Sequence, residues 1–402
     1  MDFDFLTSEK VQNFILDNLH QEPTQLLLTK QPFSTQEMQM IVPQIVARQK
    51  LKSKCPTWFQ QPYLLFSPLA AEQSSSELTA QYKAQLLKNC STIADLTGGL
   101  GVDTFAFAQT AQNVWHIEPN EILQNMVKHN FNLLAQTNIQ FANQTAQEFL
   151  SQTNIRLGAI FLDPSRRDEA KKQVYNLADY QPNIIELLPQ IWQKTDIVLL
   201  KVSPMADIEH TARQLAQVSQ VHILAIRNEV KEVLFLLEKN SNPLNYAIFT
   251  TNFKDNQTTE KFNFQITDEQ QAKIKLAFPQ ENNYLFEPNT AILKAGAFKT
   301  FAQRFQLAKL HPHTHLYTST NLPNDRTQIP ARIFQIKHIV NYQPKNVKAV
   351  LPYLQANLTV RNFPETVAQI RKKLALKEGG KTYIFACTLL NEQKVLLVCE
   401  KV

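Results

Sequence analysis

The stretch "IADLTGGLGVDTFAFA", residues 93–108, holds Gly98, Gly99 and Gly101, three of only seven glycines in 402 residues. Glycine is placed where backbone must take a positive φ or come close to another group, so the cluster marks a turn with a task. The run before it, "TIADL" (92–96), reads as a short buried strand, and "VDTFAFAQTAQ" after it reads as a helix. In open α/β sheets, the turn after the first strand is where the backbone comes closest to a ligand.

The chain around this turn repeats the same texture. Apolar runs at 114–119, 139–143, 158–164, 196–204, 221–226 and 245–251 alternate with amphipathic segments such as "NEILQNMVKHNFNLLAQ". Nearly continuous apolar strands separated by helices indicate a parallel sheet covered on both faces. The fold class is therefore α/β: a Rossmann-like, seven-stranded, doubly wound domain over residues 89–252. Residues 1–88 read as a helical domain, with a kink expected at Pro43 and a capping box from Ser74 and Glu77 opening the last helix. Beyond Asn252 come a polar connector or edge hairpin, a helix from Asn289 over "TAILKAGAFKTFAQRFQLAKL", and a strand at "THLYTS". A compact unit of strands and two helices closes the chain.

Composition bounds the function. No apolar run approaches the ~20 residues that span a bilayer, and "MDFDFLTSEK" carries no signal-peptide pattern. Cys55, Cys90, Cys387 and Cys399 show no metal or disulfide spacing, which suits a reducing, cytoplasmic setting. The net charge of +6 is uneven: residues 331–402 hold twelve Lys or Arg against four Glu and no Asp, while the rest sums to about −2. A basic terminal module on a near-neutral body suits a phosphate-backbone partner, though a solvated Lys-rich face gives the same count.

The glycine turn lacks the lysine of a P-loop, and a dinucleotide fingerprint would need glycine where Thr104 stands. What it has is Asp95 before the turn, Thr97 within it, and Glu118 at the end of the second strand, with Asn143 ending the third. A carboxylate at Asp95 favours an ammonium group and repels pyrophosphate, and Glu118 can accept both hydroxyls of a ribose. A ligand with an ammonium group, a ribose and no phosphate is S-adenosylmethionine. At the fourth strand end, Asp163 can accept a hydrogen bond or proton from a nucleophile, Pro164 fixes the chain direction, and Ser165, Arg166 and Arg167 follow. Lys201 and Ser203 end the fifth strand on the same rim.

Four stretches, "DLTGGLGVDT", "IEPN", "LDPSRR" and "KVSPMADI", resemble the motifs of class I S-adenosylmethionine-dependent methyltransferases. More narrowly they resemble a bacterial family with a helical N-terminal region, a ferredoxin-like insert and a C-terminal THUMP-like domain. "SSSELTAQYKA", "FEPNTAILKAGAF" and "LYTSTNLP" also fit it. The resemblance implies cofactor binding by Asp95, Gly98, Gly99, Gly101 and Glu118, an active-site mouth at Asp163 to Arg166, and ferredoxin-like and THUMP-like modules at 275–325 and 328–402. THUMP domains occur in RNA-modifying enzymes, so the implied acceptor is an RNA base, in tRNA or rRNA. Ser165 stands where the amino-methylating pattern has a second proline, and Arg166 where it has an aromatic. Carbon methylation of a pyrimidine would want a nucleophilic cysteine at the strand ends.

Other readings stay open. The chain could methylate a small molecule under a lid of N-terminal helices, or bind RNA without catalysis. His311, His313 and His315 alternate as one strand face would present them, which suits a metal, RNA or solvent. Arg48, Lys50, Lys52 and Lys54 next to Trp58 and Phe59 suit either nucleic acid or a solvated helix end. No metal is expected in the catalytic site.

Overall fold

A computed structural model describes residues 2–166, 177–242, 245–254, 258–322, 325–351 and 353–402. The chain divides into two compact units, Met1–Val218 with Leu234–Pro243, and Ser219–Val233 with Leu244–Val402.

The first unit is built on parallel strands β1 (Thr92–Asp95), β2 (Asn113–Ile117), β3 (Ile139–Ala142) and β4 (Ala159–Leu162). After β4 a short antiparallel ribbon pairs β5 (Ser165–Arg166) with β6 (Tyr180–Gln181), and β7 (Ile197–Val202) rejoins the parallel sheet. The order is β7–β4–β1–β2–β3. The chain thus winds one way from β1 to β3 and the other way from β4 to β7, which opens a crevice at the strand ends beside β1. All four residues of β4 are buried, as expected of a sheet covered on both faces. The covering helices start at side-chain caps: Asn120 accepts from the Leu123 amide, and Thr145 forms a reciprocal box with Glu148.

Residues ahead of β1 form the helices Phe3–Leu6, Glu9–Asp17, Pro23–Leu28, Thr35–Lys54, Pro56–Gln60, Pro68–Gln73 and Glu77–Leu86. Their core joins Val11, Ile15, Ile41, Ile45 and Leu65 to Met126 of the helix Glu121–Leu133. The buried Asn130 amide clamps Leu65, accepting from its N–H at 2.8 Å and donating to its carbonyl at 2.7 Å.

Two expectations for this region are corrected. The last helix is capped by Ser76, whose side chain accepts from the Thr79 amide, and not by Ser74. The Glu77 carboxylate turns instead to the Thr57 and Trp58 amides at 2.9 and 3.2 Å, where it caps the helix Pro56–Gln60. Within the basic group near Trp58, Arg48 faces inward: it is fully buried and donates to the carbonyls of Phe59, Gln61 and Leu64, and Trp58 is buried, whereas Lys50 pairs with Glu72 at 2.5 Å at the surface and Lys52 is exposed. Arg48 thus satisfies backbone carbonyls of the segment after its helix and is taken out of that group's surface.

The division between units falls within β8 (Val218–Ile226) and β9 (Glu229–Glu238). The sequence reading places no strand at β9, although Val233 to Leu237 are all buried there. In the second unit β10 (Ala247–Phe253) pairs parallel with β8 and antiparallel with β11 (Thr259–Gln265), which makes the polar stretch the edge hairpin of the two options. A further sheet has the order β13–β14–β12–β15–β18–β17–β16. Its strands are β12 (Tyr284–Pro288), β13 (Ala308–His311), β14 (Thr314–Ser319), β15 (Ala331–Asn341), β16 (Asn357–Arg361), β17 (Thr382–Thr388) and β18 (Lys394–Lys401). The long helix expected from Asn289 is two, Thr290–Ala295 and Phe298–Arg304, separated where Gly296 takes φ 70°. The last three residues of that stretch, 308–310, belong to β13 instead.

The three histidines do not share one strand. His311 ends β13, His313 lies in the turn and His315 is in β14. His311 Nε2 meets Glu392 at 3.0 Å, and His315 stacks on Phe298 with ring centroids 3.8 Å apart. No cluster able to hold a metal occurs among the described residues. No described helix is long and apolar enough to cross a membrane.

Candidate active site

The glycine turn is held from below. Gly98 N–H donates to the Ile117 carbonyl at 2.8 Å, Gly99 N–H to Glu118 Oε2 at 3.0 Å, and Gly101 N–H to the Gly98 carbonyl at 2.9 Å. Each glycine has its own reason. A Cβ at Gly98 would lie 2.4 Å from His116 Nε2, and one at Gly101, where φ is 83°, would lie 2.7 Å from Phe131 Cζ. Gly99, at φ 52°, meets nothing beyond its neighbour's carbonyl at 3.7 Å. Two glycines thus admit packing beneath the turn, and Gly99 serves the turn's own backbone. His116 is fully buried beside Phe131 and Phe141, and burial pushes its imidazole down to about 4. It is neutral at physiological pH.

Above the turn lies a cleft of about 1030 Å³ within the first unit, at the top of the ~300–1,000 Å³ usual for ligand clefts. The turn from Leu96 to Val102 forms its floor, and Glu118, Asn120 and Ile122 form one side. The far wall comes from the N-terminal helices, through Pro43, Phe66, Leu69 and Ser75. Thr145 to Gln147 line the β3 end, and Asp163, Ser165 and Lys201 line the β4 and β7 ends.

Of the residues singled out in the sequence, Thr97, Gly98, Gly99, Gly101, Glu118, Asp163, Ser165 and Lys201 meet in this cleft. Glu118 accepts from the Gly99 and Asn120 amides, one on each oxygen, leaving each oxygen a further lone pair. Asp95 is not among the lining residues: its carboxylate, 1 % exposed, accepts from the Thr97 amide at 3.1 Å and the Thr104 hydroxyl at 2.7 Å. Burial, with Asp103 nearby, pushes it up to about 7. Asn143 lies outside the cleft and donates to the Glu118 and Pro119 carbonyls. Ser203 accepts from the Met205 amide in a turn beyond β7, and Pro164 is buried. The backbone of Arg166 is in the ribbon, and Arg167 lies outside the described residues.

At the β4 and β7 ends of the cleft the charged groups are coupled. Asp163 N–H donates to Thr97 Oγ1 at 2.7 Å, and Lys201 Nζ meets Asp163 Oδ2 at 2.5 Å. Burial raises the Asp163 carboxyl, against the pull of Lys201 and Lys83. Behind them, Ser75 Oγ receives Lys83 Nζ at 2.6 Å and Lys201 Nζ at 3.2 Å and donates to Asp103 Oδ2 at 2.7 Å, while Lys83 pairs with Asp103 at 2.8 Å. Sequence reasoning missed Ser75, Lys83 and Asp103. The signal was there: Lys83 stands among Thr79, Ala80 and Ala84 on the buried face of its helix, where an unpaired lysine is rarely left.

Residues 284–325 match a ferredoxin-like domain family and residues 331–401 a THUMP domain-like family. A crystallised protein of Porphyromonas gingivalis W83, named as a methyltransferase, is 30% identical with a TM-score of 0.86, over 99% of this chain and 98% of that one. The chain belongs to the class I S-adenosylmethionine-dependent methyltransferases that carry these two modules. Such an enzyme is also similar in sequence to an uncharacterised S-adenosylmethionine-dependent methyltransferase of Mycobacterium tuberculosis, 22% identical over 82% of this chain and 85% of its own length. A shorter stretch of 123 residues is 26% identical to an uncharacterised RNA methyltransferase of Thermotoga maritima, covering 29% of this chain and 28% of that protein.

The cofactor of this methyltransferase is S-adenosylmethionine, and the cleft residues fit it. Gly99 leaves an open cradle over the turn, Glu118 offers lone pairs suited to ribose hydroxyls, and the exposed Leu69 and Ile122 give apolar surface for a purine. When bound, the cofactor supplies a methyl group activated by a sulfonium.

Proposed function

We propose that this methyltransferase acts on RNA. The observation that carries methyl transfer in this reading is the Asp163–Lys201 pair, which shares one cleft with the glycine turn. The RNA part is supported by the THUMP domain-like match, by the excess of eight positive charges over residues 331–402, and by the named activity of the Thermotoga maritima relative. An RNA base is the acceptor the family resemblance implies.

In this reading Thr97, Gly98, Gly99, Gly101 and Glu118 hold the cofactor, while Asp95 and Asn143 act on it through the turn and the β2 end that they tie down. Asp163 accepts from the nucleophile and Lys201 fixes the carboxylate. Pro164, Ser165 and Arg166 shape the mouth. Arg167 contacts the substrate's phosphates, and Ser203 sets the rim beside Lys201. The modules that divide this work are residues 1–88, 89–252, 275–325 and 328–402.

Incubation with tritiated-methyl S-adenosylmethionine and total cellular RNA tests the reading. Label that precipitates with RNA and is released by ribonuclease is expected, together with RNA binding that weakens steeply as salt rises. Label found only in small molecules, with salt-insensitive RNA binding, would overturn it.

A further inference from the structure

The reaction leaves the acceptor atom to be identified, and the charges around Asp163 discriminate among the candidates. Two ammonium groups converge there: Lys201 Nζ on Asp163 at 2.5 Å, and Lys83 Nζ behind it, both bonded to the single hydroxyl of Ser75. That hydroxyl has one proton and two lone pairs, and it spends all three on Asp103, Lys83 and Lys201. The chain Asp103–Lys83–Ser75–Lys201–Asp163 is therefore a fixed arrangement. Lys83 has no exposed surface, whereas the Asp163 side chain is 30% exposed to the cleft and its Oδ1 has no partner among the described residues.

Methylation of a pyrimidine at carbon-5 needs a thiol nucleophile, and all four cysteines are buried and none lines the cleft among the described residues. A neutral ring nitrogen or amine that attacks a sulfonium gains positive charge, which the Asp163 and Asp103 carboxylates favour and the paired Lys201 and Lys83 cancel, so the cluster gives it no net stabilisation. A hydroxyl does the reverse: its oxygen gains negative charge as its proton leaves, and fixed cations stabilise that charge in a partly dry site. RNA carries one free hydroxyl per internal nucleotide, on the ribose 2′ carbon.

We propose that the acceptor is the ribose 2′-hydroxyl of RNA, with Asp163 as the base and Lys201, held by Ser75 and Lys83, as the group that stabilises the forming oxyanion. This rests on the reading of RNA as substrate. The ribose oxygen bonds to the methyl carbon while the carbon–sulfur bond breaks, its electron pair returning to sulfur to leave a neutral thioether. The hydroxyl proton passes to Asp163, which later returns it to water. Burial, which raises the Asp163 carboxyl, makes it a stronger base than an exposed aspartate. Lys83, Ser75 and Asp103 are positioning residues.

Full-length protein is incubated with isotopically labelled S-adenosylmethionine and total RNA from cells lacking the protein, and the RNA is digested to nucleosides for mass spectrometry. Label in 2′-O-methylnucleosides, which also survive alkali as dinucleotides, supports the proposal. Label in a methylated base overturns it and leaves the RNA reading standing. No label in RNA overturns both. Lys201→Ala is expected to lose on the order of 100-fold in ribose methylation, with Lys201→Arg recovering much of it and calorimetric cofactor affinity staying within about twofold for both. Wild-type transfer by Lys201→Ala would overturn the role of Lys201.

Discussion

Gly98 and Gly101 look alike in the sequence as ligand-facing glycines, yet the atoms they avoid belong to the protein: His116 for one and Phe131 for the other. Gly98→Ala and Gly101→Ala should each cost about 1–3 kcal/mol, the usual range for overpacking, read as a drop in thermal midpoint without cofactor. Gly99→Ala meets no such wall, so its cost is that of the left-handed φ alone, about 1–2 kcal/mol, whereas Gly101→Ala, also at positive φ, carries both costs. Equal losses at all three positions would contradict this division of labour.

Asp95 gives a pH signature. Its folded carboxyl sits near 7 against an ordinary value of 3.8. A raised folded value means the native state holds the proton longer, so the stabilisation is complete below about pH 4 and is lost as pH rises towards 7. Asp95→Asn keeps an acceptor for the Thr97 amide and replaces the oxygen that accepts from Thr104 with an N–H donor, which the Thr104 hydroxyl can accept. Thermal midpoints measured across that window should flatten in the variant and exceed wild type at pH 8. An unchanged slope would show that another group carries it.

Among the elements, the strands of the first unit were the most legible part. Buried parallel strands such as β4 announce themselves as continuous apolar runs. The helix Glu77–Leu86 was legible as a helix but not at its start, because Ser74, Ser75 and Ser76 are all chemically able to cap and only the fold selects among them. Ser76→Ala should therefore cost about 1 kcal/mol, and Ser74→Ala only a few tenths, by chemical denaturation; the reverse order would restore the sequence assignment. β9 was missed because "EVKEVLFLLE" has a solid apolar centre that a short buried helix turn could share. The site divided the same way. Asp163 and Lys201 sit in motifs at strand ends, whereas Lys83 belongs to the helix Glu77–Leu86 and Ser75 to the segment just before its cap, whose approach to β4 and β7 is a tertiary fact.

At the scale of the whole chain, charge and chemistry are segregated by sequence: among the described residues the cleft is lined by residues between 43 and 201, and the basic excess lies in residues 331–402. The ferredoxin-like and THUMP-like matches are adjacent in one sheet of the second unit, where Leu285 of β12 pairs with Phe334 of β15. The presence of the family's modules was thus readable from motifs, but their shared hydrogen-bonded sheet was not, since strand partners are chosen over distance.

The account stands on Asp163 working on the acceptor while the turn and Glu118 hold the cofactor. Transfer of labelled methyl from S-adenosylmethionine to RNA by wild type and Asp163→Ala, with cofactor affinity measured on the same preparations, tests it most directly. The account predicts a loss on the order of 100-fold or more in transfer with affinity within about twofold of wild type; equal transfer by the two proteins, or cofactor binding lost along with transfer, would contradict it.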